Sequence, residues 1–357
     1  MHLSTSNSKG QQAGKVHIVL LLVLCAVFCA AVEGVTAHFF GRVSRVEKRR
    51  ETEYHAASAI QSAKPRHKNS VLVAGNSLLL HAVDFPELKR TVGPDVELNR
   101  TVFENTFYLD WCYGLNRLFR AGAKPDVVAL VLSPWQLITD ATNGDYSVQM
   151  LVDEPDLLRF VAETGANRNE TSVILLDKAS FFYGTRAEIR NWIVTKVLPG
   201  VPTLASHFHY NPALPHDSNV AEIAGDRLER LQDLCKRNGA RFILIIPPAK
   251  DDSGIAAVAQ AGAGKGVPVL IPIPVLPSSN YADERHLNSE GAAKFTVALS
   301  ASLKETLEVS STGARATDSR LISLGVPKRG GDVPRPAISE QITVQGVELP
   351  ESIPADR

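Results

Sequence analysis

Residues 71 to 80 read VLVAGNSLLL, and the fold turns on them. The run Val71-Leu72-Val73-Ala74 is short, continuously apolar and closed by a glycine. That is the pattern of a strand buried on both faces, as in a parallel sheet, rather than of one that wets alternate side chains. Gly75-Asn76-Ser77 then makes a strand-to-loop turn. A small polar residue there lies at the carboxyl edge of the sheet, where open α/β folds receive their ligands. By this local reading Ser77 either faces a substrate or caps a following helix.

Runs of the same kind recur downstream. Asp126 leads into VVALVL and Ser133, Arg241 into FILII and Pro247, and Val267 into PVLIPI and Pro274; Val96 to Phe103 is a weaker fifth candidate. Helical patterns lie between them. Tyr108 to Ala121 gathers Leu109, Cys112, Leu115, Leu118 and Phe119 near one face; Glu222 to Asn238 does so with Ile223, Leu228, Leu231 and Leu234, and Asn238-Gly239 supplies the stop. The alternation predicts a parallel sheet of about five strands covered on both faces, in a domain over 70–305. Residues 140–220 break the rhythm. Their helical fragments, Pro155 to Glu163 and Arg186 to Val197, and the loop from His207 to His216 read as an insertion lying over the strand ends as a lid. Residues 306–357, rich in Ser, Gly and Pro without apolar periodicity, read as a disordered tail.

With 44% hydrophobic and 21% charged residues among 357, the chain can bury one sizeable core. Its 38 basic and 38 acidic side chains cancel, so no global field draws it to nucleic acid, and none is expected as a partner. Cys112 and Cys235 lack ligand spacing and read as buried inert thiols in preference to a bridge; Cys25 and Cys29 lie in the apolar N-terminal run. His207, His209 and His216 have no Cys or carboxylate at ligand spacing, so they read as lining a pocket and no metal or cofactor is expected.

After a tail over 1–15, Val16 to Val32 reads VHIVLLLVLCAVFCAAV, and a weaker apolar stretch continues to Phe40. A membrane span takes about 20 residues and a signal-peptide core about 7 to 15. The extension to Phe40 favours an uncleaved single-pass anchor over 16–40; Cys29-Ala30-Ala31 is the alternative cleavage site. Arg42, Arg45, Lys48, Arg49 and Arg50 follow the segment, and Lys9 and Lys15 precede it, a bias that by the positive-inside rule keeps the body cytoplasmic. Residues 41–69, charged and Ala-rich, read as a helical stem ending near Pro65, with no chemistry assigned.

A second polar cluster, Asp283-Glu284-Arg285-His286, precedes Leu287-Asn288 and a helical run to about Lys304. An Asp and a His three residues apart share one side of a turn, so the carboxylate can orient the imidazole while its other nitrogen faces outward. Such a His accepts a proton from a serine hydroxyl and returns it to a leaving group.

Together, GNSL at the first strand and DERHLN after the last resemble the first and last sequence blocks of the SGNH/GDSL hydrolase superfamily, over residues 70 to 302. The resemblance implies a flavodoxin-like three-layer α/β/α sandwich, with Ser77 as nucleophile and Asp283 and His286 as its base. It implies an ester hydrolase or O-acyltransferase working through an acyl-serine on a small ester or acylated envelope carbohydrate. An extracytoplasmic domain and a membrane acyl-donor partner protein go with that. The middle blocks depart from the family. Trp135, within Ser133-Pro134-Trp135-Gln136, stands where the family has its oxyanion Asn, and the block-two Gly is missing from Glu104 to Trp111. Asn105 and Gln136 are the substitute oxyanion candidates, and Asn76, Trp135, His207 and His209 the candidates for the substrate pocket. The alternative is a catalytically silent SGNH-like domain that binds a glycan or a protein.

Overall fold

The structure, a computed structural model, describes residues 8–63, 69–142, 145–198, 217–250 and 253–311. His207, His209 and the tail from residue 312 lie outside these, so the readings made there carry no structural counterpart.

The chain runs through α1 (Ser8–Val43), α2 (Arg45–Ser58), β1 (Asn69–Gly75), α3 (Ser77–Ala82), α4 (Phe85–Val92), β2 (Val96–Val102), α5 (Tyr108–Arg120) and β3 (Val127–Val131). It continues through α6 (Pro134–Ile138), α7 (Asp145–Leu151), α8 (Leu157–Glu163), α9 (Arg168–Ala179), α10 (Phe181–Val197) and α11 (Asp217–Arg237). β4 (Arg241–Ile245), α12 (Ile255–Lys265), β5 (Val269–Leu270) and α13 (Ser289–Ser311) complete it. The sheet has five strands, all parallel, in the order β2-β1-β3-β4-β5.

Side chains alternate across a strand, and here both faces are buried. Leu72, Ala74, Val128, Leu130, Phe242 and Leu244 join Trp111 and Leu115 of α5 and Leu228 and Leu231 of α11. Val71, Val73, Val127, Ala129, Ile243 and Ile245 join Leu79, Leu88, Phe295 and Leu299 on the other side. The result is the three-layer α/β/α sandwich of flavodoxin-like order. Chain order reverses between β1 and β3, so the residues just past β1 stand at the switch point where such sheets open to ligands.

Two boundaries differ from expectation. The stem helix α2 ends at Ser58, before Pro65, because Ala59 and Ile60 turn back toward His55 and Ala57. α13 extends to Ser311, past the expected boundary at 306, with Leu303 and Leu307 buried against the sheet. The described part of the 140–220 insertion packs through α7 against α5 and through α10 against α1, and Tyr146 of α7 donates to the Glu104 carbonyl in the loop after β2, at the carboxyl edge of the sheet.

Cys112 and Cys235 are buried free thiols. Burial pushes the Cys112 thiol up to about 11, away from reactivity.

Candidate active site

β1 delivers Ser77 by close packing. A Cβ on Gly75 would sit 2.9 Å from the Val131 carbonyl oxygen and 3.1 Å from Leu79 Cβ, so only glycine lets β1, β3 and α3 meet here. The cap of α3 is Asn76, whose Oδ1 accepts from Leu78 N at 3.0 Å; Ser77 is the first helical residue. That resolves the two local readings of Ser77 in favour of a hydroxyl not engaged as the cap. Asn76, expected in the substrate pocket, is instead fully buried, and its Nδ2 donates to the Thr106 carbonyl at 2.9 Å. It ties the serine turn to the loop after β2.

The partner residues stand on a loop that closes on itself. Ala282 N donates to His286 O at 2.8 Å, Asn288 N to Asn280 O at 3.0 Å, and Tyr281 bridges Leu287 antiparallel. Within it Asp283 Oδ1 accepts the backbone N–H groups of Arg285 at 2.8 Å and His286 at 2.7 Å. Its Oδ2 lies 2.8 Å from His286 Nδ1, and His286 Nε2 lies 3.0 Å from Ser77 Oγ. A carboxylate only accepts, which assigns the ring proton to Nδ1 and leaves the Nε2 lone pair for the serine O–H. The residues expected to work together are within proton-transfer reach.

Burial pushes the Asp283 carboxyl up, but hydrogen bonds from the His286 ring, the His286 N–H and the Arg285 N–H outweigh it and hold the group at about 2. An unfolded Asp titrates near 3.9. The folded carboxyl is therefore depressed, and its stabilisation is full above that value and lost as pH falls toward 2. We expect Asp283→Asn to melt below the parent at neutral pH, and the gap to close between about pH 4 and pH 2. Melting temperatures across that range test this; a gap independent of pH would refute it.

The loop after β2 is braced on both sides of Asn105. Thr106 Oγ1 donates to Phe103 O at 2.6 Å and accepts from Trp111 Nε1 at 3.0 Å. Glu104 accepts from Arg50 Nε at 2.9 Å and also pairs with Arg49. Asn105 stands exposed between them with φ of 56°, the left-handed region that Asn tolerates and Ala does not. It is three residues past Val102, which pairs in register with Gly75, so it shares the carboxyl edge with Ser77. Because Ala adds backbone strain at this φ, Asn105→Gly is the clean deletion of the amide. If that amide serves the oxyanion, Asn105→Gly should lower ester turnover about 100-fold with an unchanged fold, and Asn105→Ala should lose stability as well. Turnover equal to the parent in Asn105→Gly would remove it from that role.

Gln136 is buried, and its carbonyl oxygen serves a local cap. Its Oε1 accepts from Ser133 N at 3.0 Å, and its own N–H donates to Ser133 Oγ at 3.3 Å, a capping box at the start of α6. Trp135 is half-buried between Phe107, edge to face at 5.3 Å, and the Arg285 guanidinium 5.4 Å from its ring centroid. It thus joins the β2–α5 loop to the loop carrying His286.

His81 was not anticipated. It is exposed one turn after Ser77, with its ring 4.8 Å from that of His286. The i, i+4 spacing from Ser77 was the available signal, since such residues share a helix face. Two stem residues also reach this region: Arg49 donates to Val102 O at 3.2 Å, and Glu53 accepts from Val102 N at 2.9 Å.

Compared with known proteins, the chain matches no family model and no curated sequence. The site therefore rests on its own geometry, which is that of a hydroxyl, an imidazole and a carboxylate in line at the switch point of a parallel sheet.

Proposed function

We propose that this chain is a membrane-tethered serine esterase or O-acyltransferase of the SGNH type. The observation that carries the proposal is the line from Ser77 Oγ through His286 to Asp283, with 3.0 Å and 2.8 Å separations. In the first half-reaction Ser77 Oγ attacks the acyl carbonyl as its proton passes to His286 Nε2. The C–O bond to the leaving alcohol then breaks, and the imidazolium returns that proton to the alkoxide. Asp283 keeps the ring in the productive tautomer and stabilises its cation. In the second half-reaction water or a sugar hydroxyl takes the acyl group by the same steps in reverse. The developing oxyanion is met by Ser77 N–H, which a first helical position leaves without an intrahelical acceptor, and by the Asn105 amide. Trp135 walls the acyl or sugar pocket.

α1 is long and apolar enough to cross a membrane over Lys15–Phe40. In this reading it is a single-pass anchor, the domain is extracytoplasmic, and the substrate is acylated envelope carbohydrate supplied by a membrane acyl-donor protein. Incubating the full chain with a fluorophosphonate and mapping the adduct tests the nucleophile. Following a model acetyl ester with and without a sugar acceptor separates hydrolysis from transfer.

A second reading, a silent domain that binds a glycan or a protein, draws on two observations: the Gln136 carbonyl oxygen is taken up in a helix cap, and Trp135 stands where the family has its oxyanion Asn. No adduct at Ser77 and no turnover of any acyl ester would select it.

A further inference from the structure

Glu33 lies inside the apolar stretch of α1, seven residues before Phe40 and thus about 10 Å along the helix from that end. A carboxylate at such a position is costly unless its oxygens are bonded. Here they are. Glu33 accepts from Ser180 Oγ at 2.7 Å, from Phe182 N at 3.2 Å and from Phe181 N. These groups form the N-terminus of α10, whose unpaired N–H groups and dipole favour an anion. The turn between α9 and α10 is thereby fixed alongside α1 at the level of Glu33.

The surface of that hairpin tip is apolar. Leu175, Leu176 and Phe182 are 38%, 48% and 40% exposed. The charged residues between Val173 and Arg186 are turned to other partners. Lys178 donates to the carbonyls of Val152 and Gln149, while Asp177 is fully buried and paired with Arg186. Farther along α10 exposed charge returns at Arg190 and Lys196, among the exposed Trp192, Ile193 and Val197. What sets the tip apart is that its three large apolar side chains are interrupted by no exposed charge, since its charges face inward. An interfacial wedge beside a membrane helix requires that arrangement.

We propose that the tip of the α9–α10 hairpin is a second membrane contact, which inserts Leu175, Leu176 and Phe182 among lipid acyl chains next to α1. The inference rests on α1 being the anchor proposed above. Its occupant is the bilayer, because the patch is continuous with the helix that enters it. Two contacts fix the tilt of the domain on the membrane, as one helix cannot.

The test uses the full chain in phosphatidylcholine vesicles with the environment-sensitive fluorophore NBD on single accessible thiols. Cys25, with Cys29→Ala, reports the anchor. Leu176→Cys in a Cys25→Ala, Cys29→Ala background reports the tip, Leu175→Cys repeats it, and Lys236→Cys, exposed at the end of α11, is the aqueous reference. We expect doxyl-labelled lipid to quench the probes at 25 and 176 and aqueous iodide to quench that at 236. Iodide quenching at 176 with lipid quenching intact at 25 would overturn the hairpin contact and leave the anchor standing. Protection at 176 from both quenchers would overturn it in favour of a covering protein. Loss of lipid quenching at 25 would bring down the anchor and the contact together.

Discussion

Ser77→Ala is expected to abolish covalent labelling by a fluorophosphonate and to lower turnover of an acetyl ester by about 10⁴- to 10⁶-fold, because the acyl group then has no oxygen to occupy. The size of the effect follows from the isolation of the role: Ser77 Oγ, 3.0 Å from His286 Nε2, is the hydroxyl aligned with the base. Removing one oxygen at the start of α3 leaves the fold intact, since the cap of that helix is the Asn76 side chain. Circular dichroism and the melting temperature should therefore match the parent. Labelling that persists in Ser77→Ala would assign the adduct to another residue and end the triad.

Asp283→Asn is expected to cost about 10⁴-fold in kcat with KM little changed. The argument is one of tautomers. In the parent the carboxylate accepts from Nδ1, so Nε2 is free to accept the serine proton. An amide facing Nδ1 can donate to it instead, which moves the ring proton to Nε2 and turns the base into a donor toward Ser77. The Asn Oδ1 can still accept the backbone N–H groups of Arg285 and His286, so the loop keeps its shape. A fall in KM-linked affinity with kcat preserved would show that Asp283 shapes the loop without orienting a base.

The stem is more than a spacer. By sequence Arg49 and Arg50 belong to a basic flank; in the fold both pair with Glu104, beside Asn105, and Arg50 stacks 3.6 Å over the Tyr146 ring and pairs with Glu188. Arg50 is almost fully buried, and a buried cation is sustained only by such a set of partners. The helix that follows α1 thus braces the loop on which the oxyanion candidate stands.

The sequence by itself determined the sheet and the two ends of the site. Short apolar runs closed by Gly, Asp or Pro can satisfy both faces only inside a parallel sheet, and all five became strands, the weak run at Val96 included. The Asp-x-x-His spacing determined that Asp283 would hold His286, because residues three apart on a turn meet without help from the rest of the chain. The tertiary structure alone decided what joins residues far apart in sequence. It brought Ser77 to His286 across 209 positions. It buried Asn76 against Thr106, engaged Gln136 in a local cap, and turned the charges of the α9–α10 hairpin inward while leaving its leucines outside. The physical reason is the range of the forces: periodicity and turn chemistry act over a few neighbours and are written in the order of residues. Whether a polar side chain serves a substrate, a helix cap or a buried ion pair depends on which partner folding carries to it.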